Sequence, residues 1–165
     1  MEDKKAAPCC YSQTKACAGT IPAHHSGNSM SDAIPSSSAL PDQPRGELVI
    51  RTIAMPADTN SNGDIFGGWL LSQMDLGGAV LARNLARSRV ATVAIEAMAF
   101  LHPVYVGDIV SCHALHLKTG RTSMRIEVAV WAQRQKGGEH VHVTHGTFTY
   151  VALDDQGRPH PVLRS

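Results

Sequence analysis

Only one stretch of this chain repeats its apolar residues at helical spacing, and the other patterned stretches alternate, so the fold has to bury a lone helix against strands. From Gly67 to about Arg87 the helical wheel sets Leu70, Met74, Gly77, Leu81 and Leu85 on one stripe, with Leu71, Asp75, Gly78, Ala82 and Ala86 beside it. Before it, Leu48, Val49, Ile50, Thr52 and Ile53 read as a short strand ending before Pro56. After it, Val93, Ile95 and Ala97 alternate with Ala94, Glu96, Met98 and Phe100 until His102-Pro103 breaks the run. Gly107-Asp108 opens a strand from Ile109 to Lys118, and Thr119-Gly120 turns it into Thr122 to Gln133, where Met124, Ile126, Val128 and Val130 share a face. Gly137-Gly138 leads to a last strand, His140 to Leu153. One strand, one long helix and four antiparallel strands make an α+β chain whose sheet wraps around a central helix.

The chain has 165 residues, 43% of them hydrophobic, which suits one domain over 46–165 and a tail over 1–45. The tail is rich in Ser, Pro, Ala and Gly and lacks an apolar period, so it is expected to be weakly ordered. Met30 opens a shorter version of it, and residues 1–29 are expected to be dispensable. A net charge of +1 provides no broad basic field, which argues against nucleic acid or an anionic membrane as the main partner. The apolar runs are too interrupted to span a bilayer, and the N-terminus does not follow the order of a secretory signal, so the expected compartment is the cytoplasm. Cys9, Cys10 and Cys17 lie in the tail and only Cys112 in the patterned region, which does not suggest a disulfide framework. With His24 and His25 the tail cysteines fit no usual zinc spacing, and no metal or other cofactor is expected.

Chemistry concentrates in Asn60 to Asp75, NSNGDIFGGWLLSQMD. Gly67-Gly68 permits close backbone approach, and the helix they open starts with unpaired N–H groups able to receive a carbonyl oxygen or oxyanion. Asp75 lies about two turns further on, beside small residues, where a carboxylate is costly to hold without a partner or a task. Two readings stand for it: a reactive acid, or a structural acid bonded to a nearby loop. Ser72 lacks a nucleophile-elbow context and sits on the exposed side of the wheel, so it reads as structural. His140, His142 and His145 fall within HVHVTH, but strict alternation puts His145 on the opposite face, which argues against a metal site.

The Asn60–Asp75 stretch, together with IEAMAFLHP, VGD at Val106 to Asp108 and KTGRTS at Lys118 to Ser123, resembles the YciA-like acyl-CoA thioesterases of the hotdog-fold superfamily, from about Glu47 to Pro161. That resemblance implies a hotdog fold, a homodimer that completes the exposed sheet edge, three such dimers in a hexamer, and acyl-CoA as substrate. It implies Asp75 as general base or as nucleophile, with the base favoured; Asn60, from the partner subunit, orienting water or thioester; and the Gly68 amide, beside Gly67, stabilising the oxyanion. Without the resemblance Asn60 reads better as an Asx-turn residue in a polar loop, and Asn62 is the alternative to it within that loop. For coenzyme A the resemblance points to the hairpin of Lys118, Gly120, Arg121, Thr122 and Ser123, otherwise a solvated basic turn. His102 stands where related sequences often carry a cation, which would weaken anion binding there near neutral pH. Met98 and Phe100 either line an acyl tunnel or pack the core. Two rival readings are a hotdog hydratase or dehydratase, for which the helix lacks a histidine, and a module that binds acyl-CoA or nucleotide without turnover.

Overall fold

The computed structural model describes residues 43–162. The expectations for the tail up to residue 42, including its cysteines, His24, His25 and the Met30 start, lie outside the described residues.

Strand β1 (Glu47–Ile53) leads through a 3-10 turn (Pro56–Asp58) and a loop into helix α1 (Gly67–Ala86), followed by β2 (Arg89–Phe100), β3 (Ile109–Thr119), β4 (Ser123–Gln133) and β5 (His140–Leu153). The strands form one antiparallel sheet in the order β1-β3-β4-β5-β2. Strand β2 therefore does not pair with its successor β3; it lies beyond β5 and forms one edge, while β1 forms the other. The sheet wraps α1, and the architecture is the hotdog fold.

The buried side of α1 is Leu70, Met74, Gly77, Gly78, Ala82 and Ala86, whereas Leu81 and Leu85 are only half-buried. The buried stripe is thus turned toward the small residues because the sheet comes very close. A Cβ on Gly77 would stand 2.8 Å from Val49 Cγ2, and one on Gly78 would overlap the Tyr150 hydroxyl. Facing the helix, Met124, Ile126, Val128 and Val130 of β4 are fully buried, together with Cys112, Phe148 and Tyr150. Burial pushes the Cys112 thiol up to about 12. The helix ends at Arg87, whose left-handed backbone (φ 51°) lets its N–H donate to the Arg83 carbonyl at 2.8 Å.

Strict alternation fails in four strands, with single shifts between Leu48 and Ile50 in β1 and between His116 and Lys118 in β3. In β2 the register shifts between Thr92 and Ala94 and again between Glu96 and Ala99, so one extra residue is accommodated at each place. In β5 both Thr144 and His142 pair with consecutive residues of β4, Val130 and Trp131, which leaves Val143 as a bulge. The VGD motif serves the frame: Asp108 is buried, accepts from the Tyr105 N–H at 3.0 Å and pairs with Arg134 at 2.5 Å. Backbone bonds between Ala54 and the Gly107–Asp108 turn tie the end of β1 to the start of β3. No helix among the described residues is long and apolar enough to cross a membrane.

Candidate active site

Asp75 is half-buried on the flank of α1, facing the ends of two paired strands. Thr92 of β2 donates from Oγ1 to Asp75 Oδ1 at 2.5 Å. Its cross-strand neighbour, Tyr150 of β5, directs its hydroxyl to the Asp75 carbonyl oxygen at 3.0 Å and to Oδ1 at 3.4 Å. Burial first, and then the Asp75 carboxylate, push the Tyr150 phenol far above its ordinary value, so it remains an O–H donor. Both side-chain contacts fall on Oδ1, which leaves Oδ2 unclaimed among the described residues. Reading the sequence missed Thr92 and Tyr150. The available signal was a hydroxyl in each of two apolar strands, on the face turned to the helix.

Asn60 sits in the loop before α1, and its Oδ1 accepts from the N–H of Asn62 at 2.8 Å and of Asp64 at 3.2 Å. The Asx-turn is therefore real, and it leaves the Asn60 side-chain NH2 as the group able to donate elsewhere. Asn62 contributes its backbone to that turn.

Helix α1 opens with Phe66 as N-cap and no side-chain cap. Trp69 and Leu70 donate to the Phe66 carbonyl, while no acceptor among the described residues meets the N–H of Gly67 or Gly68. A Cβ on Gly68 would lie 2.5 Å from the Phe66 ring, and one on Gly67 3.4 Å from the Phe100 ring. Beside this helix end is a cavity of about 330 Å³, with Leu70, Phe100, Leu101 and Val104 among its walls. Phe100 is 52% exposed and lines it, whereas Met98 packs against the core over Gly146. His102 also borders the cavity, but its Nδ1 is bonded to the His142 carbonyl at 2.7 Å.

The hairpin expected to meet coenzyme A lies at the other end of the sheet. Gly120 donates to the Ser123 carbonyl at 2.7 Å, and Ser123 pairs with Val151, next to Tyr150. The carbonyls of Thr122 and Arg121 accept from Ala152 and Val162, while the Lys118 and Arg121 side chains are exposed without an ion pair among the described residues. One protomer thus brings Gly67, Phe100 and His102 together at the helix start, and holds Lys118 to Ser123 apart from them near the Tyr150 end. Gly68 and Asp75 are separated by about 10 Å along the helix axis, too far for both to touch one carbonyl group.

The Val143 bulge overturns the expected placement of the strand histidines. It sets His142 and His145 on the same face, their rings stacked 5.3 Å apart, with Trp131 stacked on His142 at 5.0 Å. No group of three or more potential metal ligands occurs among the described residues.

The family description "Thioesterase superfamily" matches residues 62–139. The acyl-CoA thioester hydrolase YciA of Salmonella typhimurium is 52% identical over 126 residues, 74% of this chain and 95% of that protein. The chain belongs to the YciA-like family of hotdog thioesterases. The crystal structure of a hexameric thioesterase from Yersinia pestis superposes with a TM-score of 0.72 at 53% identity, covering 74% of this chain and 100% of that one. A hexameric hotdog-fold thioesterase of Campylobacter jejuni does so with a TM-score of 0.68 at 43% identity, over 72% and 91% of the two chains.

Proposed function

We propose that this protein is an acyl-CoA thioester hydrolase, releasing free carboxylic acid and coenzyme A, with Asp75 as its general base. The observation that carries the reading is the Asp75 carboxylate itself, held through Oδ1 by Thr92 and presenting an Oδ2 that has no partner among the described residues. A carboxylate oriented in this way can take a proton from water as the water oxygen bonds to the thioester carbonyl carbon. The tetrahedral oxyanion then collapses, the C–S bond breaks, and the coenzyme A sulfur leaves and takes up a proton. The same oxygen could instead attack carbon directly to form a mixed anhydride; water attack is favoured because it needs only a proton transfer at Asp75.

The free amides of Gly67 and Gly68 suit the oxyanion, with Gly68 the donor assigned to it. Because these amides are about 10 Å along the axis from Asp75 of the same helix, the carbonyl binds between the helix start of one protomer and Asp75 of its partner. Asn60 then donates its NH2 from the helix-start side to water or thioester. The cavity beside Phe100 and Leu70 fits an apolar portion of the substrate. Lys118, Arg121 and the hydroxyls of Thr122 and Ser123 are assigned to the phosphates of coenzyme A. His102, tied to the sheet backbone, is assigned a supporting role at the cavity wall. The assembly is a hexamer built from three dimers, acting in the cytoplasm without a cofactor.

Thiol release from short, medium and long acyl-CoAs tests the reading directly. Turnover of at least one chain length is expected, and no release across the series would overturn it. Asp75→Asn removes basicity at nearly constant volume, so kcat should fall by at least about tenfold with the oligomer intact. Unchanged turnover in that variant would move the chemistry to another residue.

A further inference from the structure

We infer that Tyr150, seated against Gly78, is a positioning residue for the reaction: its buried hydroxyl locks Asp75 so that Oδ2 alone is presented to the reacting centre. This rests on the reading of Asp75 as the base and adds what makes that base single-sided. Tyr150 is fully buried, and its ring stacks on Phe148 with centroids 6.2 Å apart. A phenol in such surroundings needs an acceptor, and the two acceptors it meets in hydrogen bonds belong to Asp75, the carbonyl oxygen at 3.0 Å and Oδ1 at 3.4 Å. The single hydroxyl proton is shared between them, so one group ties the backbone of the residue and its carboxylate to the same point of β5.

Gly78 supplies the space. It lies one turn beyond Asp75 on α1, and any Cβ there would coincide with the hydroxyl. A glycine inside a helix costs stability relative to alanine, so its presence under the Tyr150 oxygen is explained by the need to admit that oxygen. Thr92, the cross-strand partner of Tyr150, reaches Oδ1 from β2, and the bulge that follows Thr92 sets that strand's course beside the acid. Donors from two neighbouring strands thus converge on one carboxylate oxygen.

A purely structural tyrosine would satisfy its own hydroxyl and brace the helix, and its loss would lower stability without a selective effect on turnover. Tyr150→Phe in the full-length oligomer separates the two roles. The expected result is a fall in kcat of about tenfold with KM within about twofold, because the substrate contacts remain and only the orientation of the base is lost. In an Asp75→Asn background the same change should reduce the residual rate no further, since the residue acts through that carboxylate. Gly78→Ala, which drives the hydroxyl out of its seat, should reproduce the loss of kcat and likewise have no effect beyond Asp75→Asn. Wild-type kcat in Tyr150→Phe, beside an inactive Asp75→Asn, would overturn the positioning role and leave the base intact. A further fall in the Asp75→Asn background would also overturn it, by showing that Tyr150 acts elsewhere. Full turnover in Asp75→Asn alone would remove the base reading and this inference with it.

Discussion

The two oxygens of Asp75 are treated unequally by the fold, and that inequality was only half visible in the sequence. The helical wheel places an acid among small residues, which is enough to single out Asp75. Its partners lie 17 and 75 residues away, at Thr92 and Tyr150, and no local spacing connects them to it. Asn60 shows the reverse case. Its Asx-turn followed from the polar loop, but that this turn consumes the side-chain oxygen and frees the amide is known only from the geometry. Gly78 was read as part of a stripe beside the main one, whereas it is the place where the Tyr150 hydroxyl occupies the space of a Cβ. Gly78→Ala should therefore destabilise the protein by about 1–3 kcal/mol, as overpacking does, even though alanine favours helix. Thermal melting checks this. Combining it with Tyr150→Phe should recover part of the loss, because the overlapping oxygen is gone.

Helix α1 and the strands after it were legible because their apolar periods are long and bounded by Gly and Pro, but the bulges were not, since each inserts a residue without changing composition. In β5 the consequence is chemical. Val143 as the extra residue sends His142 to the same side as His145, under Trp131, and leaves both ring nitrogens of His142 and the Trp131 Nε1 buried without a hydrogen-bond partner in the described structure. Burial first, and then the nearby ring of His145, lower the His142 pKa below its ordinary 6.5. The folded state thus holds this ring neutral more firmly than the unfolded chain does. Its contribution to stability is complete above the unfolded value and is lost as pH falls through the depressed folded value. Melting temperature should drop as pH falls below the ordinary histidine value of 6.5, and His142→Phe should make that drop shallower. An identical pH dependence in wild type and variant would place the acid sensitivity in other groups.

A single protomer cannot bring its candidate groups together, and its surface shows how a second copy would complete them. Strand β2 is an edge carrying Val93 at 57% and Ile95 at 43% exposure, and α1 turns out Leu76 at 57% and Val80 at 45%. An apolar edge strand beside an apolar helix flank is what a two-fold partner would cover, pairing edge with edge and helix with helix. The proposed shared site requires such a pairing to set the Gly68 amide and Asn60 of one chain opposite Asp75 of the other. The order of elements made the fold readable, but a site divided between chains, as proposed, would leave no trace in the spacing of one. Mixing two inactive variants tests the division. In a dimer of one Asn60→Ala chain and one Asp75→Ala chain, one site collects both substitutions and the other is entirely wild type. Random pairing of equal amounts makes about half of the dimers mixed, so activity should return to about a quarter of wild type. Sites contained within single chains would give no recovery once subunit exchange has been verified by mass spectrometry, and that outcome would return Asn60 and Asp75 to separate roles within each protomer.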